Sequence, residues 1–140
     1  MDKSATEKHD LAILLVEDNP VNQKVATVML KRLGYTTDVA VSGSEALQAL
    51  EHKSYDLILM DIQMPDMDGL ETTCRIRERN TSQGQPCVVA MTAYALDDDR
   101  DEFVQAGMND YLSKPIRMEE LRRILDRCEK KVSTSVHKLL

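Results

Sequence analysis

The stretch that decides the fold is "LILMDIQMPDMDG", residues 57–69. Four consecutive apolar residues, Leu57 to Met60, are followed by Asp61 and then by a segment rich in turn-forming residues that ends at Gly69. A short continuous apolar run bounded by turn signals is typical of a strand that is buried on both faces. The stretch therefore predicts a central strand that presents one carboxylate, Asp61, at its carboxyl end.

Related runs occur on both sides of this stretch. Residues 11–16 (LAILLV) and 88–91 (VVAM) are also continuously apolar, residues 36–41 are short and rich in β-branched side chains, and a short segment around Tyr111 completes five strands. Apolar residues at helical spacing between the strands predict helices at about 20–33, 44–52, 69–79 and 96–106. A last helix is predicted from Leu121, Ile124, Leu125 and Cys128, which share one face before the polar tail. Such alternation implies right-handed βαβ units, and hence an α/β fold with a parallel sheet between two layers of helices.

The length of 140 residues fits one domain. We expect this domain to occupy residues 11–130, with a flexible N-terminal segment at 1–10 and a polar C-terminal tail or linker remnant at 131–140. No apolar run approaches the ~20 residues of a membrane span, and the first ten residues lack the apolar stretch of a secretory signal. A cytoplasmic location without membrane contact is therefore expected.

Composition and motifs exclude several function classes. A net charge of −6 without a basic block argues against direct binding to nucleic acid. Three cysteines without C-x-x-C spacing argue against a disulfide framework or a zinc site. Neither G-x-G-x-x-G nor G-x-x-x-x-G-K-[ST] occurs, which argues against the common nucleotide-binding loops.

Polar side chains with chemical potential follow several of the predicted strands. Glu17 and Asp18 follow the first strand, Asp61 the third, Thr92 the fourth, and Lys114 the fifth. Each has a structural explanation, since Asp18 could cap a helix, Asp61 could close a turn and Thr92 could be a cap. Because ligands of open α/β sheets bind outside the carboxyl ends of the strands, the set as a whole predicts a functional site.

The residue types in this set indicate phosphoryl chemistry with a divalent ion. Glu17, Asp18 and Asp61 repel one another when crowded together, so they need a compensating cation. Oxygen ligands suit Mg²⁺, with Mn²⁺ as an alternative, and such an ion together with the Lys114 ammonium balances the three negative charges. Asp61 is then a candidate carboxylate nucleophile towards phosphorus, with Lys114 and Thr92 contacting phosphoryl oxygens.

At these residues the sequence resembles a receiver domain of two-component response regulators. The resemblance runs from Leu11 to about Lys130 and includes "LLVEDNPVNQ" (14–23), "LILMDIQMPDMDG" (57–69), "AMTAYA" (90–95) and "DYLSKPI" (110–116). The phrases "EDNPVNQ" and "GMNDYLSKPI" are most similar to receivers attached to hybrid sensor histidine kinases. The resemblance implies a flavodoxin-like three-layer sandwich with strand order 2-1-3-4-5.

The resemblance also assigns roles around the metal. It implies that Asp61 is the phosphorylated residue, and that Glu17, Asp18, Asp61 and the backbone carbonyl of Gln63 hold Mg²⁺.

Further roles implied by the resemblance lie on the fourth and fifth strands. Thr92 and Lys114 would bind the phosphoryl oxygens, and the Lys114–Pro115 peptide bond is expected to be cis. Thr92 and Tyr111 would form the switch, with the tyrosine ring turning inward when the threonine hydroxyl moves towards phosphate. The surface that changes would be the fourth helix, fifth strand and fifth helix.

The implied function is that of a phosphoacceptor in a two-component phosphorelay. The donor would be a phosphohistidine on a histidine kinase or a histidine phosphotransfer domain, and a phosphorylation-dependent dimer is a further expectation. The domain would catalyse its own phosphorylation and slow dephosphorylation without turning over an independent substrate. A further expectation is that it forms the cytoplasmic part of a membrane-anchored hybrid kinase.

Two alternatives remain open at the level of sequence. The first is a receiver-like binding module that is never phosphorylated, against which the intact set of site residues argues. The second is an aspartate-nucleophile phosphohydrolase, which resembles D-x-D at the nucleophile, whereas here the second position is Gln63.

Overall fold

A computed structural model describes residues 11–64, 67–79, 85–93 and 97–139, with the side chains of residues 97–100 and 130–139 not described. In chain order the elements are β1 (Ile13–Val16), α1 (Pro20–Arg32), β2 (Thr37–Ala40), α2 (Gly43–His52), β3 (Leu57–Asp61), α3 (Gly69–Glu78), β4 (Cys87–Thr92), α4 (Asp97–Ala106), β5 (Asp110–Ser113) and α5 (Met118–Leu139). Among the helices of the described ranges, none combines the length and the apolar character that crossing a bilayer requires. The predicted N-terminal segment at 1–10 lies outside the described residues.

The five strands form one parallel sheet in the order β2-β1-β3-β4-β5, which confirms the predicted order. The central pair is β1 and β3, in which Val16 lies opposite Met60. The residues that follow this pair, Glu17 and Asp61, therefore leave the sheet side by side at its carboxyl edge. Strand order alone thus brings together two acids that are far apart in sequence.

Helices cover both faces of the sheet, which explains why the central strands are continuously apolar. Leu15, Leu59 and Met91 pack on one face with residues of α1 and α5. Leu14, Ile58 and Ala90 point to the opposite face, which α2, α3 and α4 cover. Because successive strand residues point to opposite faces, a strand covered on both sides needs an apolar residue at every position.

The ends of α1 follow from short-range sequence signals. Asn19 is the N-cap, and its side chain accepts hydrogen bonds from the backbone N–H groups of Val21 and Asn22. Pro20 occupies the first helical position, and Gly34 follows the last turn with a φ of 95°. Asn19 rather than Asp18 caps the helix, so the structural explanation of Asp18 as a cap is wrong and its carboxylate is left to the site.

The last helix is longer than the sequence analysis predicted. α5 is helical as far as Leu139, whereas the sequence predicted a polar tail from residue 131. The apolar spacing continues past Cys128 at Val132, Val136 and Leu139, which accords with a helix that extends into the segment taken for a polar tail.

Candidate functional site

Two carboxylates and one ammonium group meet at the carboxyl edge of the sheet. Lys114 Nζ lies 3.0 Å from Asp61 Oδ1 and 3.1 Å from Glu17 Oε1. Glu17 is 2% exposed and Asp61 is 3% exposed, so both acids are withdrawn from solvent. The lysine, which follows β5, thus bridges acids that follow β1 and end β3.

A third carboxylate, Asp18, joins this pair. Glu17, Asp18 and Asp61 each offer a carboxylate oxygen, and these oxygens lie within 4.8 Å of one another. Asp18 is exposed while the other two are buried, so the group is open to solvent on the Asp18 side. A set of hard oxygen donors at this separation fits Mg²⁺, which prefers carboxylates and retains several of its water ligands.

Burial and mutual repulsion perturb the titration of the site. Burial raises the pKa of the Glu17 carboxyl above its ordinary value of 4.5, the Asp61 charge raises it further, and Lys114 opposes both effects only in part. Burial alone would lower the pKa of Lys114, but its hydrogen bonds and charge interactions with Asp61 and Glu17 outweigh burial and raise it. Among the described residues, one cation therefore serves two buried acids, and these side chains together carry an excess of negative charge.

The turn after β3 is built around a close approach of helix α3. A Cβ added at Gly69 would lie 2.5 Å from the Asp61 carbonyl oxygen and 3.0 Å from Ile62 Cα. The Gly69 N–H also donates to the Ile62 carbonyl at 3.1 Å, and the Gln63 N–H donates to Asp61 Oδ1 at 3.2 Å. The absence of a side chain at Gly69 thus lets the helix begin directly behind the acid.

The ends of β4 and β5 complete the same edge. Thr92 is the last residue of β4, is 4% exposed, and accepts a hydrogen bond at its carbonyl from the Lys114 N–H at 2.9 Å. The Lys114–Pro115 peptide bond is cis, in agreement with the family resemblance. Tyr111 is half-buried on β5, with its ring centroid 6.4 Å from that of Phe103 on α4.

The predicted site residues therefore fall into two groups. The structure brings Glu17, Asp18, Asp61 and Lys114 together, and Thr92 lies on the same edge. The roles of these residues remain predictions: Asp61 as phosphoacceptor, Lys114 and Thr92 as phosphoryl contacts, the Gln63 carbonyl as a metal ligand, and Thr92 with Tyr111 as the switch.

Two residues that hold Glu17 in place were missed by sequence reasoning. The Asn19 N–H donates to Glu17 Oε2 at 3.2 Å, and the Gln23 side-chain amide donates to the Glu17 carbonyl at 2.7 Å. Asn19 could have been found, because Asn followed by Pro is a known start signal of a helix. The sequence carries no signal that the Gln23 side chain reaches back to the end of β1.

Taken together, the geometry provides a nucleophile, a cation beside it, and an oxygen-only metal-ligand set. The bridging ammonium can follow the negative charge from the two acids to an incoming anion. The arrangement fits the transfer of a phosphoryl group to a carboxylate.

Comparison with known proteins agrees with this chemistry. The family described as "Response regulator receiver domain" matches residues 13–126. Among curated proteins, the chain is 39% identical over 129 residues to hybrid signal transduction histidine kinase G of Dictyostelium discoideum, a match that covers 91% of this chain and 4% of the kinase. It is 42% identical over 115 residues to the aerobic respiration control sensor protein ArcB of Escherichia coli, covering 82% of this chain and 15% of that protein. The chain thus spans only a small part of the length of either relative.

The chain is also similar to solved structures of receiver domains. The chain is 46% identical to the receiver domain of a sensor histidine kinase from Pseudomonas aeruginosa PAO1, which has a magnesium ion coordinated in its active site cleft. That match has a TM-score of 0.76 and covers 85% of this chain and 97% of that domain. A second match is the co-crystal structure of the Saccharomyces cerevisiae histidine phosphotransfer protein Ypd1 with the receiver domain of its downstream response regulator Ssk1. It has 30% identity and a TM-score of 0.73, and covers 80% of this chain and 83% of that chain.

Proposed function

Because the chain belongs to the response regulator receiver family, we propose that it accepts a phosphoryl group on Asp61 from a phosphohistidine, in a reaction that requires Mg²⁺. The observation that carries the proposal is the contact of Lys114 with both Asp61 and Glu17 at 3.0 and 3.1 Å. In the transfer, an Asp61 carboxylate oxygen forms a bond to phosphorus while the bond from phosphorus to the histidine nitrogen breaks. The imidazole leaves with the electron pair.

The side chains around Asp61 have distinct tasks in this proposal. Lys114 shifts from the free carboxylates towards the phosphoryl oxygens, so its positive charge is retained where negative charge gathers. The Thr92 hydroxyl donates to a phosphoryl oxygen. The Gln63 N–H donates to Asp61 Oδ1, and the start of α3 packs directly behind the acid at Gly69. These contacts hold the Asp61 carboxylate in one orientation, which lowers the entropic cost of reaching an in-line geometry.

The metal would be held by the carboxylates of Glu17, Asp18 and Asp61 and by the Gln63 carbonyl. When bound, Mg²⁺ neutralises charge on the phosphoryl oxygens and so permits an anionic donor to approach an anionic nucleophile. Glu17 and Asp18 supply the negative charge and the oxygen donors that select such an ion.

Phosphorylation would become a signal through Thr92 and Tyr111. Movement of the Thr92 hydroxyl towards the phosphoryl group frees space at the end of β4, and the Tyr111 ring turns into that space. The half-buried position of this ring against Phe103 supports the proposal, because a small rotation changes the surface that α4 and β5 share.

The donor protein needs a docking surface beside the site, and α1 offers one. Three valines of this helix are exposed, Val21 at 69%, Val25 at 48% and Val28 at 41%. They recur at helical spacing, and the helix begins two residues after Asp18, so the apolar stripe is continuous with the rim of the site. We propose that a phosphohistidine-bearing helical protein, either a phosphotransfer protein or the corresponding domain of a kinase, packs on these valines in the cytoplasm.

The central test is phosphorylation by a small donor. Incubation with Mg²⁺ and acetyl phosphate followed by intact-mass measurement should show a gain of one phosphoryl group, and Asp61→Asn should show none. Asp101→Asn, which changes an exposed acid on α4, is the matched control and should be phosphorylated normally. No mass gain in the unmodified chain under several donors would contradict the proposal. Steady turnover of small phosphoesters would instead favour the phosphohydrolase alternative.

The docking surface is tested by comparing two donors. Val25→Glu places a charge in the middle of the valine stripe and should slow transfer from a phosphorylated histidine phosphotransfer protein by roughly tenfold or more, since a charge buried without a partner costs more than 1.4 kcal/mol. Its phosphorylation by acetyl phosphate should stay within about twofold of the unmodified rate. Equal rates with the protein donor would exclude this face, and Val104→Glu on α4 is the matched control, because Val104 is also exposed, at 64%, and lies on another helix.

A further inference from the structure

The backbone of Glu17 is held on both sides at the point where β1 becomes a loop. Its N–H donates to the Ala40 carbonyl at 3.0 Å, across to β2. Its carbonyl, one residue beyond the last β1 ladder position at Val16, accepts from the Gln23 side-chain amide at 2.7 Å. Gln23 lies on the first turns of α1, and its own N–H donates to the Asn19 carbonyl at 2.9 Å. The glutamine thus ties the first turn of the helix to the end of the strand.

The hydrogen bond from Gln23 to the Glu17 carbonyl restrains the backbone of Asp18 as well as that of Glu17. The Glu17 carbonyl belongs to the same peptide unit as the Asp18 N–H, and the peptide unit is planar. Fixing the oxygen of this unit therefore fixes the plane from which the Asp18 side chain departs. Asp18 is the exposed member of the carboxylate group, so it lacks the enclosure that restrains Glu17 and Asp61.

From this geometry we propose that Gln23 is a positioning residue that orients the Glu17–Asp18 peptide, and through it the Asp18 carboxylate, for metal binding. The proposal rests on the proposed function for the identity of the ion, but its structural part concerns the chain alone. Gln23 contacts neither the substrate nor the reacting atoms. Its effect should appear in the affinity for metal rather than in the transfer step.

The test uses Gln23→Met in the full chain, which keeps the length of the side chain and removes the amide donor. Thr27→Ala is the matched control, because the Thr27 hydroxyl also donates to a backbone carbonyl, that of Lys24 at 3.1 Å, but within the helix and away from the site. With Mg²⁺ as the titrant, Gln23→Met should weaken binding by roughly tenfold, the lower end of what loss of an outer-shell partner costs. The phosphorylation rate at saturating Mg²⁺ should stay within about twofold of the unmodified rate. Thr27→Ala should leave both quantities unchanged.

A second measurement separates this proposal from the proposed function. In the metal-free protein, the amide resonances of Asp18 and Asn19 should shift strongly in Gln23→Met and remain in place in Thr27→Ala. If these resonances do not move, or if Mg²⁺ affinity is unchanged while only thermal stability falls, Gln23 is a structural residue and the proposal is wrong. If the resonances move but the unmodified chain neither binds Mg²⁺ nor accepts phosphate, the proposed function fails while the positioning of Asp18 stands.

Discussion

The charged groups at the carboxyl ends of the strands (the carboxyl edge) and those at the amino ends (the amino edge) have opposite electrostatic environments. At the carboxyl edge, the buried acids Glu17 and Asp61 share the single ammonium of Lys114, and burial raises the pKa of Glu17. At the amino edge, Asp38 accepts from the Tyr55 hydroxyl at 2.7 Å and from Lys53 at 3.0 Å, and these hydrogen bonds lower its pKa. At the carboxyl edge, like charges lie close together, and a bound metal ion would relieve their repulsion. At the amino edge, Asp38 already has its hydrogen-bond partners. On the proposed function, this difference separates residues that would take part in phosphoryl transfer from residues that hold the fold together.

Arg77 is the main structural group of the amino edge. Its guanidinium donates to the Gly107 and Pro86 carbonyls and to the side chains of Gln85 and Asn109, at 2.7 to 3.2 Å. These partners precede β4 or join α4 to β5. The side chain is half-buried, so its hydrogen bonds are partly protected from water.

Arg77→Met should give the largest loss of stability at this edge, because it removes the donors that bind the half-buried Pro86 and Gly107 carbonyls. We expect the free energy of unfolding to fall by about 3 kcal/mol in urea titrations. Mg²⁺ affinity should stay within about twofold of the unmodified value, since none of the four partners belongs to the carboxylate group.

Arg75→Met is the matched control for that substitution. Arg75 is exposed and pairs with Glu71 one helical turn away at 2.9 Å, an interaction worth about 0.3–0.5 kcal/mol. The contrast between the two edges would be wrong if Arg77→Met lowered the free energy of Mg²⁺ binding by as much as it lowered the free energy of unfolding. In that case the amino edge would also support the site.

Most of the fold could be predicted from the sequence, because its signals are local. The run Leu57 to Met60 indicates a strand covered on both faces, and Gly34 and Ser42 mark helix ends. The predicted convergence of Glu17, Asp18 and Asp61 also held, because parallel strands must place their carboxyl ends on one edge. The strand order itself came from the family resemblance, since alternation of strands and helices is compatible with several orders.

What could not be predicted depends on contacts between residues distant in sequence or on side-chain direction. In the sequence, nothing distinguishes Arg77 from other basic residues on a helix, yet its hydrogen-bond partners lie up to 32 residues away. Gln23 reads as an ordinary helix residue, because nothing in its spacing shows that its amide reaches the Glu17 carbonyl. The helical backbone of α5 beyond residue 130 is a different case, because the spacing of Val132, Val136 and Leu139 could have predicted it and was overlooked among the polar residues of this segment.

The smallest expected difference between the two edges lies in how the stability of two isosteric variants depends on pH, measured in metal-free protein. A carboxyl whose folded pKa is raised destabilises the protein as pH rises through its ordinary value, 4.5 for Glu17. Glu17→Gln should therefore become more stable than the unmodified chain above that pH, by about 1 kcal/mol near pH 7, a common gain when a site group is neutralised. A carboxyl whose folded pKa is lowered contributes stability above its ordinary value, 3.8 for Asp38, and loses it as pH falls. Asp38→Asn should therefore be less stable at pH 7, by less than about 1 kcal/mol because the side chain is exposed, with no difference at low pH.

Urea titrations from about pH 3 to pH 7 measure both differences. Tyr55→Phe provides the control, because the Tyr55 hydroxyl, whose pKa is raised to about 12, remains a donor to Asp38 throughout this range. Removing that donor should weaken the stabilisation that Asp38 provides and leave the Glu17 effect intact. For each variant, the difference in unfolding free energy from the unmodified chain is plotted against pH. The plots for Glu17→Gln and Asp38→Asn slope in opposite directions only if Lys114 fails to compensate the acids at the carboxyl edge. Slopes of the same sign would mean that Lys114 compensates them fully, and the contrast between a charge-crowded site and a satisfied edge would be wrong.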